Sequence, residues 1–320
     1  MINRKFLPLY VTCSLFLALF LAGSVQFDNF FTLRVFVNLF TDNAFLIIAA
    51  VGMTFVILSG GIDLSVGSVI ALTGVVVSVL LENYQWHPLA AFAVVLVGGT
   101  VFGAAMGAII HFYKLQPFIV TLAGMFFARG LSTIISEESV PITHEFYDDV
   151  SMFGFELPGN AWLDASTIIS IVVLVAAIII ANYTRFGGRV YALGGDAQSA
   201  GLMGVPIART TISVYAFNSC LAALAGIVFS FYTFSGYSLA AVGVELDAIA
   251  AVVIGGTLLT GGYGYVVGTL FGVLIMGVVQ TYISFDGTLS SWWTKIVIGV
   301  LLFCFIALQR ILVAPGAKTR

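Results

Sequence analysis

The apolar positions of this chain fall in long unbroken runs, not in the alternation of half-buried strands. Runs at 7–25, 44–60, 66–81, 89–111, 116–135, 166–183, 212–233, 247–261, 265–284 and 293–309 carry almost no charge. A helix needs about 20 apolar residues to cross a bilayer, whereas barrel strands alternate apolar and polar residues. The pattern predicts an all-α integral membrane protein with about ten transmembrane helices. Two runs, 66–81 and 247–261, are short or interrupted by glycine, which predicts broken or half-length helices.

The polar residues inside this apolar pattern are the candidates for function. Leu58-Ser-Gly-Gly-Ile-Asp-Leu-Ser-Val-Gly-Ser68 separates two of the runs. A glycine pair favours a helix break, and a carboxylate at membrane depth is costly. Such a segment is tolerated where it is buried in protein or lines a water-filled path. Asp63 and Ser65 therefore have two open readings. Asp63 can cap the next half-helix, or both can bind hydroxyls or gate a path. Asn218 and Gln280 lie within runs, and interhelical hydrogen bonds explain them as well as sugar contacts do. Glu245 and Asp247 open the eighth run, where acids favour a helix N-terminus. They too are candidates for the path. Arg129, inside the fifth run, needs a partner or water, and a structural ion pair or snorkelling toward the outer face is the expected account. Trp292 and Trp293, near Lys295, have the composition of an interfacial belt.

An internal echo runs through the chain. Leu58-Ser-Gly-Gly and Val66-Gly-Ser68 match Leu259-Thr-Gly-Gly and Val267-Gly-Thr269 at the same spacing. A reused packing device and a duplicated half both account for it. The inverted repeats common in transporters do not, because the two copies would run parallel.

Charge sets the orientation. Charged residues make up only 8% of the chain against 60% hydrophobic, beyond what a water-soluble core could bury. With an even number of spans, Arg4, Lys5, Lys114, Arg185, Arg189, Arg209, Arg310, Lys318 and Arg320 all fall on one side. By the positive-inside rule that side is cytoplasmic, and it holds both termini. The opposite loop, 136–165, holds seven acids and no Lys or Arg. It is either a solvated periplasmic connection or a docking surface. Arg4-Lys5 followed by an apolar stretch and Ala22-Gly23-Ser24 also fits a signal peptide. A retained first helix fits the multi-spanning chain better.

The cytoplasmic loop, 184–211, predicts one local element. Asp196 is placed to cap a short amphipathic helix over Ala197–Met203, with Gly204 as its stop. The helix is either a plain connector or a knob for another protein to seat in a groove.

Several chemistries are missing. No Gly-x-x-x-x-Gly-Lys-Ser/Thr loop for ATP is present. His87, His111 and His144 are scattered, and Cys13, Cys220 and Cys304 are widely spaced, so no metal or disulfide framework is expected. No chain of buried acids suggests a proton relay. The chain is expected to carry no cofactor, perform no covalent chemistry and bind no nucleic acid. If it concentrates a solute, an external motor must supply the energy. A self-contained carrier and an intramembrane enzyme are the competing classes.

Three stretches carry a resemblance. Val51 to Ser68, Val244 to Thr257 and the loop from Arg185 to Gly204 resemble the permease subunits of bacterial ABC sugar importers of the ribose, xylose and autoinducer-2 type. Ser136-Glu-Glu-Ser-Val-Pro141 and Phe285 to Lys295 resemble, more narrowly, a permease of the galactofuranose importer. The resemblance spans nearly the whole chain as a single permease domain, 1–320, of the bacterial inner membrane. It implies a cytoplasmic ATPase subunit, a second and paralogous permease, and a periplasmic sugar-binding protein. It also implies that the ATPase seats the inner-loop helix, with Arg185, Arg189, Gly194, Gly195, Asp196, Ala200, Met203 and Gly204 as coupling residues. The family usually has Asn where this chain has Asp196, which adds a charge to that contact.

Overall fold

The computed structural model describes residues 7–290 and 292–313. Arg4, Lys5, Lys318 and Arg320 lie outside these, as does the side chain of Arg310. The described residues are overwhelmingly helical. In chain order they form α1 (Leu7–Gln26), α2 (Leu33–Thr41), α3 (Ala44–Leu58), α4 (Val66–Glu82), α5 (Pro88–Phe112) and α6 (Pro117–Ile135). Strand β1 (Val140–Pro141), α7 (Glu145–Met152), and strands β2 (Gly154–Leu157) and β3 (Ala161–Asp164) follow. Then come α8 (Ala165–Tyr183), α9 (Arg185–Gly195), α10 (Ala197–Leu202), α11 (Ile207–Thr233) and β4 (Ser235–Gly236). The chain continues as α12 (Val244–Ile254), α13 (Val266–Asp286) and α14 (Trp292–Val313).

Each predicted run contains a helix, but not all are long. Among the described residues six helices are long and apolar enough to cross a membrane, or seven if α2 and α3, bent by 57°, count as one span. Helix α4 and the stretch Trp292–Ala307 of α14 are shorter apolar helices, and α12 has only 11 residues. The half-length helices expected at 66–81 and 247–261 correspond to α4 and α12.

The bundle is built around α3 and α11. Nearly every residue of α3 is buried, as expected of a helix that is apolar all round. Helix α11 packs on α3, α4 and α5. Its seam with α5 is a run of small residues at four-residue spacing, Gly99, Gly103 and Gly107. A Cβ on Gly99 would sit 2.9 Å from the Ser219 carbonyl, and one on Gly107 2.8 Å from Ile212 Cα. Small faces of this kind let membrane helices approach backbone to backbone. Outer helices instead expose apolar side chains, such as Val97, Phe126 and Ile179.

The connections gather at two ends. At one, the Gly262 N–H donates to the Leu58 carbonyl at 2.9 Å, and the Thr121 hydroxyl donates to the Ile62 carbonyl. At the other, β1 pairs antiparallel with β4, and Thr143 donates through its N–H and hydroxyl to the Glu82 carboxylate. The acidic segment 136–165 is thus folded rather than loose. Its β2–β3 hairpin and α7 form a cap, and the buried Tyr147 hydroxyl lies 2.8 Å from Ser230 Oγ.

Candidate functional site

The glycine break after α3 carries Asp63 into the protein interior, where it is fully buried. Its Oδ1 accepts from the Ser65 N–H at 2.8 Å and the Ser65 hydroxyl at 2.6 Å. Its Oδ2 accepts from Asn218 Nδ2 on α11 at 2.7 Å. The expected cap on the next helix takes a different form. Asp63 holds Ser65, the N-cap residue of α4, and not the orphan N–H groups of the first turn. Asp63, Ser65 and Asn218 are thereby brought together. Beside them, the buried Tyr215 hydroxyl and Asn218 Oδ1 have no hydrogen-bond partner among the described residues. The Tyr215 hydroxyl rests against Gly61, where no Cβ would fit.

A second group forms where α12 begins. Glu245 Oε1 accepts from the Gly243 N–H at 3.2 Å, while its buried Oε2 lies against Gly67 in the first turn of α4. The first turns of the two short helices therefore meet. Among the described residues Arg129 makes no ion pair. It donates to the carbonyls of Ser238 at 2.6 Å and Ala240 at 2.7 Å, pinning the loop that delivers Glu245. Capping does not explain Asp247, which pairs with Lys295 of α14 at 2.6 Å.

That pair stands on a cavity of about 790 Å³, within the size range of small-molecule sites. Asn38, Asp42, Asp247, Gln280 and Lys295 give it polar walls, and Phe45, Tyr232 and Trp292 aromatic ones. Asp42 lies at the bend between α2 and α3, so the broken span opens into the cavity. Trp292, expected as a belt residue, faces it as well. Asp247 and Gln280 share this cavity, whereas Asp63, Ser65, Asn218 and Glu245 are not among its lining residues. The candidate path residues therefore fall into separate groups.

On the end face with the glycine break, α9 and α10 form a compact knob. Asp196 caps α10, accepting from the Ser199 N–H at 2.5 Å. That bond and the Ser199 hydroxyl hold its carboxyl below the ordinary value. The Gly204 φ of 83° stops the helix, and the Val205 N–H closes on the Ala200 carbonyl at 3.0 Å. Buried Ala200 roots the knob. Arg185, Arg189, Gly195 and Asp196 are exposed on its surface, while Gly194 is half-buried. Leu202 and Met203 stand out at 86% and 75% exposure, an apolar tip on an otherwise polar surface. Gly195 belongs to α9, an element not anticipated between 185 and 195.

Sequence reading missed Asn38, Asp42 and Tyr215. Asn38 and Asp42 sit in a segment too short to register as a span. Tyr215 looks like one more aromatic in an apolar helix. Among the described residues no cluster of three or more His, Cys, Asp or Glu is placed to hold a metal. His87 and His144 instead accept from backbone N–H groups at helix starts.

A family model described as the permease component of branched-chain amino acid transport systems matches residues 35–306. The inner membrane ABC transporter permease protein YjfF of Escherichia coli (strain K12) is 59% identical over 310 residues, covering 97% of this chain and 93% of that protein. The fructose import permease protein FruG of Bifidobacterium longum is 38% identical, covering 100% of this chain and 95% of the relative. The ribose import permease protein RbsC of E. coli K12 is 38% identical over 281 residues, 86% and 85% of the two chains. These relatives are transport permeases, not enzymes.

Proposed function

The chain belongs to this family of ABC transporter permease components, and from that premise we propose that it is the membrane subunit of an ATP-driven sugar importer. The observation that carries the reading is the cavity of about 790 Å³ at the bend of a broken span. Carboxylate and amide groups suit sugar hydroxyls, and aromatic faces suit the apolar face of a sugar ring. Val35, Leu46, Ile283 and Ile298 also line the cavity, so the preference for sugar over a branched-chain amino acid rests on the names of the relatives, which are sugar permeases. Galactofuranose is the sugar we propose. The names of the relatives make ribose, fructose and arabinose the alternatives.

The arrangement we favour has ten crossings with both termini cytoplasmic. The two sets of connecting segments, which meet at opposite ends, alternate along the chain as ten crossings require. Lys114, Arg185, Arg189 and Arg209 fall on one end and the acidic cap on the other, as the positive-inside rule asks. The α9–α10 knob then faces the cytoplasm, where its Leu202–Met203 tip suits a groove on an ATPase subunit. A periplasmic binding protein delivers the sugar to the opposite face, and a paralogous second permease completes the path.

The test is purification of the tagged chain in mild detergent, identification of what co-purifies, and reconstitution in liposomes. Labelled galactose (which contains the furanose form), ribose, fructose, arabinose and leucine serve as probes. Recovery of an ATPase and a second, different permease, with ATP-dependent uptake of one sugar, is the expected result. ATP-independent uptake by the chain alone would overturn it in favour of a self-contained carrier. Uptake of leucine alone would move the substrate to amino acids.

A further inference from the structure

Three glycine pairs, far apart in the chain, meet at one point. They are Gly60-Gly61 after α3, Gly194-Gly195 at the end of α9, and Gly261-Gly262 after α12. A Cβ on Gly194 would land on the Leu58 carbonyl oxygen and 2.6 Å from the Gly262 nitrogen. One on Gly261 would lie 2.7 Å from the Gly60 nitrogen, and one on Gly262 2.7 Å from Gly195 Cα. The contact is therefore main chain on main chain. Two hydrogen bonds tie it. Gly262 N–H donates to the Leu58 carbonyl at 2.9 Å, and the Tyr191 hydroxyl of α9 donates to the Gly264 carbonyl at 2.8 Å.

The two outer pairs are the copies of the internal echo. Each leads into a polar group already described. Gly60-Gly61 runs through Asp63 into α4, and Gly261-Gly262 ends the segment of α12, which carries Glu245 and Asp247. The Thr54 and Thr269 hydroxyls, 2.7 Å apart, join α3 to α13 nearby. Gly194 stands between the echo copies on the same short unit as the exposed Leu202–Met203 tip.

We propose that this glycine node is the mechanical link by which movement of the α9–α10 knob reaches both broken segments, with Gly194 and Tyr191 as its positioning residues. Close-packed interiors transmit strain, and a backbone contact has no rotatable side chain to absorb a displacement. One push on the knob thus bears on the start of α4 and the end of α12 together. The proposal rests on the importer reading, in which an ATPase moves the knob.

The test uses the complete complex reconstituted with its binding protein and ATP. Uptake of a labelled mixture of galactose, ribose, fructose and arabinose is measured together with ATP hydrolysis. The readout is sugar moved per ATP hydrolysed, which a loss of folded protein does not change. Gly194→Ala is expected to retain the ATPase and lower that ratio by about tenfold or more, within the range of site-to-site coupling. Tyr191→Phe, which keeps the ring, is expected to lower it by about fivefold, the smaller end of that range. Gly188→Ala, on the same helix with open space around its Cβ position, is expected to leave it unchanged. A wild-type ratio in both Gly194→Ala and Tyr191→Phe overturns the proposal. If Gly194→Ala yields no protein, Tyr191→Phe decides alone. A wild-type chain that retains no ATPase overturns the importer reading itself, before any variant is made.

Discussion

Replacing Asp63 separates its hydrogen bonds from its charge. The carboxylate accepts from the Ser65 N–H, the Ser65 hydroxyl and Asn218 Nδ2, all buried. In Asp63→Ala these donors lose their acceptor. The Ser65 hydroxyl can rotate, but the Ser65 N–H and the Asn218 amide cannot both find new partners. Two stranded buried donors at about 1–3 kcal/mol each give an expected loss of about 2–6 kcal/mol. Asp63→Asn differs. Its carbonyl can keep both bonds from Ser65, and its new NH₂ needs an acceptor. Asn218 Oδ1, buried without a partner, supplies one if that amide turns over. The expected cost is about 1 kcal/mol or less, a single rearranged hydrogen bond. Unfolding of the purified variants in detergent, followed by SDS titration, measures both. Equal damage in the two variants would refute the hydrogen-bond account and make the charge the essential feature. Normal stability of Asp63→Asn with complete loss of uptake would move Asp63 onto the path.

Four further outcomes are expected. Leu202→Asp should insert normally yet weaken ATPase co-purification by about 30-fold, the effect of losing an interface anchor of about 2 kcal/mol. Lys295→Met leaves Asp247 unpaired at the cavity wall. Because the pair is partly exposed, unfolding should shift by about 1 kcal/mol at most, while the sugar concentration for half-maximal uptake rises. The Asp196 carboxyl is held below its ordinary value of 3.8 by bonds made only in the folded knob. Its contribution is therefore complete above that value and lost as pH falls through the lower folded one, so amide protection of α10 should stay flat from neutral pH down to about pH 5. Asp196→Asn should keep that protection, since both residues cap well, whereas Asp196→Ala should lose it.

Much of the fold was legible because lipid is a simple solvent. Apolar run length speaks directly to crossing, and every run yielded a helix, although the helix of the run at 247–261 stops at Ile254. The Asp196–Gly204 element was equally legible, because capping and stop residues act over one or two turns. What escaped depends on contacts distant in sequence. Helix α2 is amphipathic and only nine residues long, so it falls below any span threshold although it carries Asn38 into the cavity. The acidic segment 136–165 has loop composition, yet it folds because Tyr147 is buried against α11 and β1 finds β4. Arg129 invited a carboxylate partner, and two backbone carbonyls serve instead. No local pattern encodes such a partner.

The glycine echo shows where the boundary lies. Its two copies were visible as text, and so was a third glycine pair at Gly194-Gly195. Their meeting was not, because glycine has no side chain whose character could advertise a partner. The echo has a physical rationale without a duplicated half. Each copy turns the chain at a helix break through a first glycine with a φ of 83°, where side chains are strained, and its second glycine admits a close neighbour, the Tyr215 hydroxyl at Gly61 and the Gly195 main chain at Gly262. The following Val-Gly-Ser/Thr then starts or enters the next helix with a hydroxyl in its first turn. In α4 the Ser68 hydroxyl donates to the Ser65 carbonyl at 2.7 Å, and in α13 Thr269 bridges to Thr54. The two hydroxyls make different bonds, so what is shared between the copies is the room for close approach. That favours a packing device used twice, and it places the burden of transmission on the one residue, Gly194, that sits between the two uses.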